Sequence, residues 1–140
     1  MQTHLTLDWA DGSYDFCLTW SGCAEIERKS NAGIQAVYER VMLAGSYSAD
    51  VTEIIRQALL GGKSGLVDGQ PVEVKPATAN ALIARYVTGE DAPPFADSWN
   101  VAKAILHTFM VGHETAQKKT EGEDDLMTAS TPPRSSPTAP

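Results

Sequence analysis

Cysteine is nearly absent: Cys17 and Cys23 are the whole complement of a 140-residue chain. Two cysteines cannot build a disulfide framework, and their spacing fits neither a C-x-x-C redox pair nor a zinc knuckle. They read as small, partly buried thiols in a reducing compartment. Positive charge is scarce too. With 11 Lys and Arg against 18 Asp and Glu the net charge is −7, and Arg28-Lys29 and Lys118-Lys119 are isolated pairs rather than a patch. That excludes nucleic acid as a partner, since phosphate backbones are held by clustered cations. No apolar run is long enough to cross a bilayer, and the first residues lack the basic-then-apolar order of a signal peptide. The expected location is the cytoplasm of the host cell, with no membrane partner.

Reactive constellations are also missing. His4, His107 and His113 are the only imidazoles. On a helix, positions 107 and 113 would sit roughly 240° apart and share no ligand face. Adding Cys17 and Cys23 gives a formal two-Cys, two-His set whose spacing no zinc finger uses. No serine lies in a G-x-S-x-G elbow. Glu25 and Glu27, two apart on a helix, diverge rather than pair for acid-base work. The expectation is no catalytic residue, no metal, no cofactor and no enzyme activity. Trp9, Trp20 and Trp99 lack basic neighbours and read as core anchors.

What is present is patterning. The apolar fraction of 42% suits a packed soluble domain. Leu5, Leu7 and Trp9 alternate against His4, Thr6 and Asp8, and after Asp11-Gly12 a second alternation runs through Tyr14, Phe16, Leu18 and Trp20. Asp-Gly between alternating runs signals a hairpin turn. A turn on Asp11-Gly12 pairs Trp9 with Tyr14, Leu7 with Phe16 and Leu5 with Leu18. It also sets Asp8 opposite Asp15, an unfavourable like-charge pair that belongs on a wet face.

Helices follow. Ser21 is placed to cap one reaching Ser30. Ile34, Val37, Tyr38, Val41 and Met42 recur at helical spacing, with Gly45 as a stop. Asp50 and Glu53 form a capping box ahead of the stripe Val51, Ile54, Ile55, Ala58 and Leu59. "GGKSG" resembles the end of a phosphate-binding loop, but Gln57 stands where that loop needs its first glycine, and the helix precedes the glycines instead of following them. Gly61 or Gly62 therefore reads as a left-handed helix stop. Asp68-Gly69 marks a small hairpin that Pro71 confines to an edge or loop. Thr78 caps a helix through Tyr86-Val87, and Asp97 or Ser98 opens a last one that Gly112 ends. From 114 to 140 the chain is rich in Ser, Thr, Pro, Ala and acid, and it reads as disordered. The expected fold is α+β and mostly α-helical: an N-terminal β-hairpin packed on about five short helices over residues 1–113, followed by the disordered tail.

The order of segments from "LTLDWADGSYDFCLTW" through "AEIERKSNAGI" and "AGSYSADVTEIIRQALLGG" to "ALIARYV" and "WNVAKAILHTFMVG" resembles the gene-transfer-agent type of phage tail assembly chaperone. Tyr47 stands where that pattern has tryptophan, "KSGLVDGQPVEVKP" is longer than a simple connection, and the Pro-Ser-Thr tail lies outside it. The resemblance implies a non-enzymatic partner of the tape measure protein, and of tail tube subunits, that keeps the former soluble during tail assembly. A groove between the Asp50 helix and the last helix, with Ile54, Ile55, Ile105, Phe109 and Met110 as anchors, is the surface expected to serve it. The alternative from another class is a virion structural component, a tail tube or head-tail joining protein. A tube protein should show more strands than the one convincing hairpin.

Overall fold

A computed structural model of the chain describes residues 4–43 and 45–112. The expected disordered tail falls outside these residues. Four strands and five helices succeed one another: β1 (His4–Trp9), β2 (Gly12–Cys17), α1 (Trp20–Ser30), α2 (Ile34–Met42), α3 (Ser48–Gly62), β3 (Ser64–Val67), β4 (Gln70–Glu73), α4 (Pro76–Tyr86) and α5 (Phe95–Val111). The architecture is α+β and mostly helical. The strands form one antiparallel sheet in the order β1-β2-β3-β4, so the second hairpin extends the first. Pro71 sits on the edge strand, facing Leu66, where its missing N–H breaks no interior ladder. Asp68 and Gly69 carry the positive φ values, 53° and 77°, that a tight two-residue turn requires.

The first hairpin forms in a register two residues from the expected one. Trp9 pairs with Gly12, Leu7 with Tyr14 and Leu5 with Phe16, and Ala10 takes φ 56° in the turn. A slip of two keeps the apolar side chains on one face. It also removes the expected charge conflict. Asp8 now faces Ser13, whose Oγ donates to it at 2.5 Å, and Asp15 faces Thr6, whose Oγ1 donates at 2.7 Å. Gly12 is needed for close approach rather than for the turn, since a Cβ there would lie 2.1 Å from the Leu66 carbonyl oxygen.

Helix α3 is the centre of the molecule, packed across β2 and against α1, α4 and α5. Val51, Ile54, Ile55, Ala58 and Leu59 are fully buried along it. Burial of each large aliphatic side chain contributes roughly 1.5–3 kcal/mol. Its last turn contains both Gly61 and Gly62, and the left-handed cap is Lys63 at φ 68°. The glycines are therefore not the stop. They let the helix end meet the sheet backbone: Cβ atoms would lie 1.9 Å from the carbonyl oxygens of Cys17 and Asp15 respectively.

Other boundaries shift for local reasons. Thr19, not Ser21, caps α1, with Oγ1 accepting from the Gly22 N–H at 3.0 Å. Trp20 then becomes the first helical residue and is 75% exposed, so it is not a core anchor. Helix α3 starts at Ser48 and α5 at Phe95, neither with a side-chain cap, and α4 starts on Pro76, whose fixed φ suits a first helical position. Gly112 ends α5. Trp9 and Trp99 pack at the margin of the core, and the Trp99 indole N–H donates to the Val41 carbonyl at 2.6 Å.

Candidate functional site

The seam between α3 and α5 is closed. Ile54 and Ile55 are fully buried, and Ile105 and Phe109 are buried beside them; of the five expected anchors only Met110, 37% exposed, reaches solvent. Both helices carry apolar stripes, and each stripe satisfies the other, which leaves no groove for a third helix. The Phe109 ring instead meets Trp20 edge-on at 5.4 Å, which gives the exposed indole one apolar neighbour at the end of α5.

The two acids expected to form a capping box do something else. Asp50, 3% exposed, accepts two hydrogen bonds from Arg40, at 2.6 Å from Nε and 3.0 Å from Nη2. Glu53 is buried and accepts from Lys29 at 3.1 Å, from Gln57 at 2.6 Å and from Arg56. Burial pushes the Glu53 carboxyl up, but hydrogen bonds from Gln57 and Lys29 and the Arg56 charge outweigh it and hold the group below the ordinary glutamate range. These acids tie α1 and α2 to α3. Both carboxylates are committed to cations, which suits a clamp rather than a proton-transfer site.

A separate cleft of about 540 Å³ opens where the β1 end meets the chain before α5. Trp9 and Tyr86 form its apolar floor, their rings 6.2 Å apart, and Asp8, Asp91 and Asp97 stand around it. Sequence reasoning missed this cleft, because its acids come from three segments with no shared local pattern. Among the described residues no group of three or more His, Cys, Asp or Glu is placed to hold a metal ion, and no helix is long and apolar enough to cross a membrane. His107 Nδ1 lies 3.2 Å from the Tyr38 hydroxyl, His4 is exposed on β1, and His113 lies outside the described residues. Cys17 and Cys23 are both buried.

Comparison with known proteins adds one finding. The family model described as "Phage tail tube protein, GTA-gp10" matches residues 2–112. No curated protein and no solved structure matches the chain. The gene-transfer-agent and phage-tail context of the sequence resemblance stands, while the assembly-chaperone role is corrected: the family description is that of a tube protein. The strand-count objection to a tube protein also lapses, because Pro71 sits harmlessly on an edge and the sheet has four strands. By a match that spans every described strand and helix, the chain belongs to the phage tail tube protein family described by GTA-gp10.

Proposed function

We propose that this protein is a structural component of a phage-type tail, a tube subunit that acts by stoichiometric association with other tail proteins and not by turnover. The family match across residues 2–112 carries the reading. The fold agrees with it. The sheet has β1 and β4 as its two edges, and a strand edge offers backbone donors and acceptors to a neighbouring molecule. Exposed Trp20, Leu43, Tyr47 and Phe95 offer apolar contact of the kind that subunit interfaces cover. The chain would be made in the bacterial cytoplasm and end in the particle. The tape measure protein is then one candidate neighbour among the tail proteins, met as an occupant of the tube.

Quantitative mass spectrometry of purified particles, with immunogold labelling, tests this. Many copies per particle, with gold along the tail, are expected. Gold confined to the neck would favour a joining protein instead. Abundant protein in the lysate with none in particles would overturn the structural role.

A further inference from the structure

The two edges of the sheet differ in how they are guarded. In a two-residue hairpin the pair beside the turn is hydrogen-bonded, and bonded and non-bonded pairs alternate from there. Trp9 with Gly12, Leu7 with Tyr14 and Leu5 with Phe16 are therefore the bonded pairs, and the N–H and C=O groups of His4, Thr6 and Asp8 point out of the sheet. Among the described residues no element other than β2 makes a backbone hydrogen bond with β1. On β4 the same alternation, fixed by the Val74 N–H donating to the Lys63 carbonyl at 2.8 Å, turns Pro71 and Glu73 outward. Pro71 has no N–H to offer, so that edge is blocked where a neighbouring strand needs a donor. β1, with the sequence HLTLDW, has neither proline nor lysine, and its edge is open.

We propose that β1 pairs antiparallel with β1 of a second copy of this chain, about a twofold axis at Thr6. The strand is self-complementary in that register. His4 falls opposite Asp8 of the second copy, twice by symmetry, and Leu5 falls opposite Leu7. His4, Thr6 and Asp8 are exposed on one face, while Leu5 and Leu7 are half-buried on the other. Ser13 donates to Oδ1 of Asp8, which leaves Oδ2 to accept from an imidazole N–H. The outward groups of Thr6, His4 and Asp8 meet their counterparts in phase, for about six backbone hydrogen bonds. Parallel pairing, or an axis at Asp8, would instead set two carboxylates against each other. Pairing of β1 with β4, which would build an open chain of subunits, fails at Pro71. The inference goes beyond the tube reading and does not rest on it.

The test is sedimentation velocity of the full-length chain across roughly 1 μM to 1 mM, the span in which a weak interface associates. A monomer–dimer equilibrium is expected. Thr6→Pro removes the central outward N–H without breaking a bond to β2, and should give a folded monomer by circular dichroism. Should that variant not fold, the charges decide. His4→Glu and Asp8→Lys should each weaken the dimer about tenfold, since each conflict occurs twice. The double variant His4→Glu/Asp8→Lys should recover the parent affinity, because the two new charges are opposite and face each other across the axis. A monomer throughout, a species larger than a dimer, a dimer that survives in folded Thr6→Pro, or no recovery in the double variant would each overturn the proposal. Particle content does not enter this measurement, so its failure is distinct from failure of the structural role.

Discussion

Arg40 holds Asp50 through two hydrogen bonds, 2.6 Å from Nε and 3.0 Å from Nη2, with the carboxylate almost wholly removed from water. The pair joins α2 to the start of α3. Its worth lies in what happens when one half is missing.

Arg40→Ala leaves a buried carboxylate without its cation, which should cost about 3 kcal/mol. Replacing both partners with apolar residues, as Arg40→Met/Asp50→Leu, should cost much less, because the desolvated charge goes as well. Urea denaturation at neutral pH measures both. A double variant less stable than Arg40→Ala would show that the pair contributes net stability instead of merely avoiding a penalty.

Gly61 and Gly62 give a second prediction against the usual trend. Glycine to alanine inside a helix normally stabilises by about 1 kcal/mol. Here the added Cβ meets a β2 carbonyl oxygen at 1.9 Å at either position, so α3 must lift off the sheet. Either Gly61→Ala or Gly62→Ala should lower stability by about 2 kcal/mol. Thermal denaturation decides it, and an increase in Tm would contradict the described fit of helix on sheet.

Acid sensitivity follows from Asp15. Hydrogen bonds from Ser64, at 2.5 Å, and from Thr6 hold its carboxyl below the ordinary value of 3.8. A depressed folded-state value means the stabilisation is fully present above the unfolded value and is lost as pH falls through the folded one. Ser64→Ala should therefore be less stable than the parent at pH 6, and the gap should narrow below pH 3.8. Denaturant melts between those conditions report it; a gap that widens in acid would reverse the sign.

Two of the tryptophans should differ in cost. Trp99→Phe deprives the Val41 carbonyl of its 2.6 Å donor in a partly buried setting and should cost about 1–2 kcal/mol. Trp20→Phe, at an exposed first helical position, should cost under about 0.5 kcal/mol. Equal losses in chemical denaturation would mean that Trp20 is held far more tightly than its exposure implies.

Helical periodicity made α2 legible, because Val37 and Val41 are buried where the spacing puts them. Asp68-Gly69 likewise marked its own turn, a local choice with a local signature. The hairpin register was hidden because Gly12 answers to Leu66, a residue far along the chain. The paired glycines misled for the same reason, since their constraint comes from β2 and not from the helix they end. Asp50 and Glu53 matched a capping box, yet cations on α1 and α2 claimed them first. Of the expected site, four anchors turned out to be interior residues, and the cleft that does exist draws its acids from segments no single window contains.

In space β2 lies beside β3, but along the chain three helices intervene between Cys17 and Ser64. On a translating ribosome the first hairpin therefore emerges with one flank uncovered and waits for about a third of the polypeptide before β3 can dock. Helix α3 delivers that strand, since β3 begins two residues after the helix ends. Seating of the central helix and completion of the sheet are thus one event, and any lesion that delays the former leaves a nascent strand open to pairing with another copy.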